Sequence, residues 1–318
     1  MSLVRHGSIQ AQPNDTTIAL DDIVVRLRLS RERAKTEDPT AVYVRDLPSP
    51  ELASGVAKGL FGAFFPRHGG GQDGSDAGLD YFVGHALNTA LRTLQDLIAR
   101  ELRLSLSQQA SQEVEAASAA RELVRSFATK LPDVRESVLT DVRAAFDGDP
   151  AAQTTAEILL SYPGVKAIFH HRLAHELYRL GAPIVARIFS EIAHSATGID
   201  IHPGAQIGRN FFIDHGTGVV IGETTVIGQR VRLYQAVTLG AKRFETNENG
   251  GLVKGIPRHP IVQDDVVIYA GATILGRVTI GRGSTIGGSV WLTHSVPPGS
   301  YIVQAHARSE VFEGGAGI

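Results

Sequence analysis

The stretch IDIHPGAQIGRNFFIDHGTGVVIGETTVIGQRVRLYQAVTLG, residues 199–240, decides the fold. Within it Ile201, Ile207 and Ile213 fall six residues apart, and Ile221, Ile227, Leu233 and Leu239 repeat that step. The step resumes at Val262 and continues through Ile268, Ile274, Ile280, Ile286 and Leu292. A small residue commonly follows the aliphatic one, as in Ile207-Gly208, Ile221-Gly222 and Ile286-Gly287. An amphipathic helix has a period of about 3.6 residues and cannot sustain a six-residue step over these thirteen positions. A hexapeptide β-helix can: each unit forms one short face of a triangular coil, and its aliphatic side chain points into a continuous core.

The repeat is broken twice. From Ile213 to Ile221 the step is eight, so two extra residues enter around Asp214–Thr217. Between Leu239 and Val262 the segment GAKRFETNENGGLVKGIPRHPI is too polar and Gly-rich to stay in register, and a loop over 240–261 is predicted to leave the prism.

Upstream the pattern is helical. Leu52, Val56, Leu60 and Phe64 predict a helix over 49–65, and Leu87, Leu91, Leu94 and Ile98 begin a helical region from 79 to 146. Between these lies HGGGQDGSDAG (68–78), predicted to be a mobile loop, and Asp147-Gly148-Asp149-Pro150 interrupts the helices. Two more helices are predicted over 165–180 and 183–195, the second with Pro183 in its first turn. Residues 1–47 are polar and aperiodic, a composition compatible with disorder. The expected fold class is therefore α+β: a polar segment 1–47, an all-helical domain 48–196, a parallel β-helix 197–300 carrying the catalytic site, and a tail 301–318.

Composition narrows the function. The 31 Lys and Arg against 33 Asp and Glu give a formal charge of -2, which offers no electrostatic attraction for nucleic acid or an anionic membrane. The absence of cysteine excludes disulfides, thiolate metal sites and a cysteine nucleophile. No apolar run of spanning length and no export-signal pattern is present, so a cytoplasmic protein is expected.

A β-helix alone is a scaffold, so chemistry is sought at its breaks. The run IDIHPGAQIGRNFFIDHGTGVVIGET (199–224), RHP (258–260), AGATILG (270–276) and DGDPA (147–151) together resemble the serine O-acetyltransferases, a hexapeptide-repeat family. The resemblance covers roughly 147–298. It implies a left-handed β-helix behind the helical domain, and assembly as a homotrimer or a dimer of trimers. It implies transfer of acetyl from acetyl-CoA to L-serine, the first step from serine to cysteine.

Carried onto this sequence, the family pattern assigns His215 as general base. An imidazole, with an ordinary pKa of about 6.5, is largely neutral at pH 7 and can accept the serine proton. Asp200 is expected to hold its other ring nitrogen, as the acid of a Ser-His-Asp triad does. Asp149 and Asp214 match carboxylates that bind the substrate, plausible partners of its ammonium. Arg258 suits the substrate carboxylate through its planar fork, and His259 matches the second active-site histidine. Ala270, Gly271 and Ala272 match the segment along the CoA groove, and Lys242 and Lys254, with Arg243, are candidate phosphate contacts. The loop before RHP is some nine residues longer than in familiar members of the family, which bears on these CoA contacts.

No metal is expected. His171 and His175 are one helical turn apart beside His170, yet no acidic base follows as in HExxH, so they are read as structural, as is His202. The chain ends EGGAGI, and the resemblance implies insertion of Ile318 into O-acetylserine sulfhydrylase as a partner. The alternatives are an acetyltransferase for another hydroxyl acceptor, a β-helical zinc carbonic anhydrase, and a non-enzymatic scaffold. The zinc enzyme needs an HxxxxH pair, which does not occur among His202, His215, His259, His294 and His306, and the scaffold has no use for the Asp-His pair.

Overall fold

A computed structural model of the chain describes residues 20–37, 46–68, 75–104, 110–243 and 245–304. The tail ending at Ile318 and most of the Gly-rich stretch 68–78 lie outside the described residues. Residues 1–47 form one compact unit and residues 48–318 another. In the first unit, the sequence expectation of an irregular segment is corrected by α1 (Leu20–Glu37), which buries none of its residues. Arg26 and Arg28 interrupt the aliphatic run from Ile23 to Leu29, so no clean stripe betrays the helix. Asp21 and Asp22 in its first turn and Lys35 in its last complement the helix dipole.

The second unit begins with α2 (Pro50–Phe64), whose Ser49 cap accepts from the Leu52 N–H at 3.2 Å. Helices α3 (Asp76–Leu104) and α4 (Ala110–Gly148) follow. A short α5 (Thr155–Ser161), not foreseen from periodicity, is capped by Thr154. Thr154 Oγ1 accepts from Glu157 N, and Glu157 Oε2 accepts from Gln153 N. Then come α6 (Pro163–Arg179) and α7 (Pro183–Thr197), each with proline in its first turn. The first turn of α7 lacks a side-chain cap of its own; Glu101 from α3 reaches over and accepts from Ile184 N and Val185 N, both at 2.8 Å. Gly198, with φ +69°, ends α7 in the left-handed conformation, and the six-residue period begins at once.

The first coil is β1 (Asp200–Ile201), β2 (Gln206–Ile207) and β3 (Phe212–Ile213), and the second is β4 (Val220–Ile221), β5 (Val226–Ile227) and β6 (Arg232–Leu233). The third is β7 (Thr238–Gly240), β8 (Ile261–Val262) and β9 (Val267–Ile268), and the fourth is β10 (Thr273–Leu275), β11 (Thr279–Ile280) and β12 (Thr285–Ile286). β13 (Trp291–Leu292) and β14 (Tyr301–Ile302) complete the ladder. Every third strand pairs in parallel as far as β13, and β14 pairs with β12, giving a first sheet β1-β4-β7-β10-β13, a second β2-β5-β8-β11 and a third β3-β6-β9-β12-β14. The residues predicted to point inward are buried, except that Ile207, at the open end of the prism, is partly exposed. A second inward row lies two residues earlier in each unit (Ile199, Ala205, Phe211, Val219, Val231, Val237), and the six-residue reading left it out. β7 ends at Gly240 and β8 begins at Ile261, so the loop predicted over 240–261 shares its end residues with strands, and between them Thr246 is bridged to Leu252.

Bonds between coils run in both directions, as in Gly208 N to Ile227 O and Gly218 N to Gly198 O. On the side of the first coil that faces away from the second, carbonyls have no strand partner, and such groups cost free energy if buried unsatisfied. Helix α6 supplies the donors. Arg172 donates to Ile207 O (3.3 Å) and Gly208 O (2.8 Å), and His175 Nδ1 donates to Pro203 O (2.8 Å). Arg172 is in turn gripped by Asp141 of α4 at 2.6 and 2.8 Å, and Asp141 Oδ1 accepts from Phe211 N at 2.9 Å. Ala167 and Ile168 of α6 belong to the core of the prism, and Phe212 of β3 belongs to the helical core. Among the described residues, no helix is long and apolar enough to cross a membrane.

Two predictions follow from this edge. Arg172→Ala leaves a buried carboxylate and bare carbonyls, so denaturant unfolding should show a loss of about 3–5 kcal/mol. Burial is the largest cause that lowers the pKa of His170, His171 and His175. The unfolded chain then binds more protons than the folded one below the ordinary imidazole range of about 6.5. Stability is complete above that pH and should fall as the solution is acidified toward the depressed values. His171→Gln, which cannot titrate, should flatten the measured slope of unfolding free energy against pH.

Candidate active site

The two extra residues of the eight-residue step lie at the corner between β3 and β4. There Asp214, His215, Gly216 and Gly218 turn the chain, with His215 at φ +58°, a conformation uncommon for a residue with a Cβ. The His215 ring projects outward with 70% of its side chain exposed, and Asp214 Oδ1 lies 3.9 Å from its Nε2. Asp214 is nearly buried and is paired with Arg232, whose Nη2 donates to Oδ2 at 2.9 Å. Arg232 is clamped between the rings of Phe212 (5.0 Å) and Tyr234 (4.7 Å).

Asp149 reaches this corner from the helical domain of the same chain. α4 ends at Gly148, which lies flat against Phe212: a Cβ there would meet the ring at 3.0 Å. Asp149 accepts from Tyr162 Oη at 2.5 Å and from Ala151 N at 2.8 Å. These bonds, Tyr162 first, hold its carboxyl below the ordinary range, with smaller help from the charges of Arg232 and His215. The same bond pushes the Tyr162 hydroxyl up to about 12. Gly164 allows this approach, because a Cβ on it would lie 2.2 Å from the Ile213 carbonyl oxygen. Tyr162 and Arg232 were missed in the sequence. Their only signals were Tyr before a helix-starting proline and Arg stacked in register over Phe212.

Arg258 and His259 do not join this corner. They stand where the chain enters β8, at the corner between the first and second sheets, beside Glu223 and Thr224 after β4. Arg258 Nη2 donates to Glu223 Oε2 at 2.7 Å, and Tyr178 Oη donates to Oε1 at 3.1 Å. Burial opposes ionisation of Glu223, yet the bonds from Arg258 and Tyr178 bring its carboxyl below the ordinary range. His259 is buried, and its Nδ1 accepts from Thr224 N at 3.1 Å. That acceptor role places its proton on Nε2, which faces Gly222 so closely that a Cβ there would lie 2.2 Å away. Desolvation, then the Arg258 charge, pulls its pKa down to about 4, so the ring is neutral near pH 7. Glu223, also missed, stands in the GET of the motif that was quoted for its other residues.

Asp200 lies between the two corners, on the outer face of the first sheet. In the single chain it faces Arg187 (3.8 Å) and does not hold the His215 ring, whose acidic neighbour is Asp214. Glu191 and His194 complete a group with Asp200 whose ligand atoms lie within 4.8 Å of one another, but the Arg187 guanidinium, 2.6 Å from Glu191, already supplies the positive charge.

Of the residues expected along the CoA groove, Ala272 is corrected. It is fully buried, its N–H bonds Tyr269 O, and its carbonyl accepts from Thr238 N, so no atom is left for a ligand. Ala270 and Gly271 remain partly exposed, with Ala270 O accepting from Ser289 N and Gly271 N donating to Gln235 O. Lys242 and Lys254 are exposed on the extruded segment.

Comparison with known proteins agrees with this architecture. The family profile described as "Serine acetyltransferase, N-terminal" matches residues 82–169, and that of the bacterial transferase hexapeptide (six repeats) matches 259–294. A plasmid serine acetyltransferase of Synechococcus elongatus is 57% identical over 275 residues, covering 86% of each chain. Among solved structures, Entamoeba histolytica serine acetyltransferase 1 in complex with L-cysteine superposes with a TM-score of 0.67 at 32% identity, covering 90% of this chain and all (100%) of that one. Soybean serine acetyltransferase complexed with serine gives 0.51 at 31% identity, covering 78% of this chain and 96% of that one. With hexapeptide coils, an Asp-His corner and this degree of identity in one molecule, the chain belongs to the serine acetyltransferase family.

Proposed function

We propose that this chain transfers acetyl from acetyl-CoA to the hydroxyl of L-serine with His215 as general base. The observation that carries the reading is the meeting of Asp149, Asp214 and His215 at one exposed corner. His215 takes the proton from the serine oxygen as that oxygen attacks the thioester carbonyl. The tetrahedral intermediate collapses, the carbon–sulfur bond breaks, and the imidazolium returns the proton to the departing CoA thiolate. Asp149 is the group best suited to the substrate ammonium, because hydrogen bonds keep it ionised and no ion pair consumes its charge, whereas Asp214 is already neutralised by Arg232. Acetyl-CoA supplies the activated acyl group; the exposed Lys242 and Lys254 are proposed to meet its phosphates, with Ala270 and Gly271 at the groove wall.

The Asp-His corner lacks an unpaired cation for the serine carboxylate, and the Arg258–His259 corner lacks an exposed base. Assembly as a homotrimer would join the first corner of one copy to the second of its neighbour, and this division of groups supports that arrangement.

Purified protein should release CoA thiol from acetyl-CoA with L-serine, in a panel that includes other amino acids and sugars. His215→Asn, which tolerates the positive φ, should lower kcat about 10²–10⁴-fold and leave thermal stability unchanged. Loss of serine turnover with retention of another acceptor would overturn the substrate. A mixture of His215→Asn and Arg258→Ala chains, refolded together, should regain about one quarter of wild-type activity, since each composite site draws its two corners from independently chosen copies. No recovery would mean that both corners act within one chain.

A further inference from the structure

Trp291 is the chain's single tryptophan, and it is 70% exposed on β13. Leu292 beside it fills the core, so the indole stands on the outer face of the first sheet. Strand register places it at the end of a straight outer row that runs Asp200, Val220, Thr238, Thr273, Trp291. Four strand spacings of about 4.8 Å separate the ends of this row by roughly 19 Å. Asp200 at one end adjoins the proposed chemistry, and the threonines between present small polar side chains.

Two cations stand near the other end. Lys242 and Arg243 leave β7 just after Gly240, are exposed, and make no ion pair among the described residues. The Lys242 side chain packs over Gly276, immediately after β10, the strand next to Trp291. A flat exposed aromatic with cations near the end of the neighbouring strand, on a row that holds Val220 and two threonines, fits an extended molecule with a ring at one end and phosphates near it.

We propose that Trp291 is the stacking platform for the adenine of the CoA substrate, with Lys242 and Arg243 beside its phosphates and the pantetheine arm lying along the threonine row. The inference rests on the acetyl-CoA reading above and adds to it a residue that sets cosubstrate affinity. Stacking uses the flat face of the base and needs no hydrogen-bonding partner.

With one tryptophan per chain, intrinsic emission reports this position alone. Titrating the full-length protein with CoA or 3′,5′-adenosine bisphosphate should quench it saturably, whereas pantetheine, which lacks the adenine nucleotide, should not. Trp291→Ala should raise KM for acetyl-CoA about 5- to 150-fold with kcat unchanged, and Trp291→Phe should recover most of the loss. Normal turnover with emission unmoved by CoA would overturn the role of Trp291 and leave the acetyl-transfer reading intact. So would a Trp291→Ala chain with unchanged KM and altered oligomeric state, which would identify the indole as a contact between copies. A wild type that neither turns over acetyl-CoA nor quenches with CoA would overturn both.

Discussion

The unpaired carbonyl edge of the first coil is the constraint on which the rest of the structure depends. A stack of parallel coils satisfies its own backbone everywhere except at its two ends. At the start of this stack donors come from one helix, α6, through Arg172 and His175. Arg172 must reach inward to serve, and its charge is tolerated there only because Asp141 meets it with two bonds. Burial pushes the Asp141 carboxyl up while Arg172 pulls it back, and the Phe211 N–H adds to the pull. The helical domain is thus the cap without which the first coil would expose its edge.

That cap also delivers a functional group. Docking α6 on the first coil brings its N-terminal turn against Ile213, where Gly164 leaves room for the carbonyl. Tyr162, just before that turn, then reaches Asp149 at the end of α4. A stability device and the placement of the Asp149 carboxylate are one packing event.

The corners divide the charges between them. Asp214 with Arg232 and Glu223 with Arg258 are both paired, which leaves Asp149 and the exposed His215 ring, among the described residues, as groups of the first corner that no guanidinium engages. Such pairing keeps each arginine fork fixed in direction, as recognition of a planar carboxylate requires. The neutral, buried His259 holds its corner by hydrogen bonding and not by charge.

Much of the solenoid was legible in the sequence because each inward aliphatic recurs after six residues, and burial of one face is a local, periodic demand. The break at Asp214–His215 was visible for the same reason, as a departure from a counted step. Residues outside the period were harder to see: α1 buries nothing, α5 is short and starts at a Thr154 cap, and the second inward row mixes Ala, Thr and Ser with Val. By itself, then, the sequence determined the coil, its breaks and the residue types at them. Only the tertiary structure decided that Asp149 meets His215 within one chain, that Arg258 is engaged by Glu223, and that Ala272 faces inward. Those outcomes depend on contacts between segments far apart in the chain, about which a repeat period carries no information.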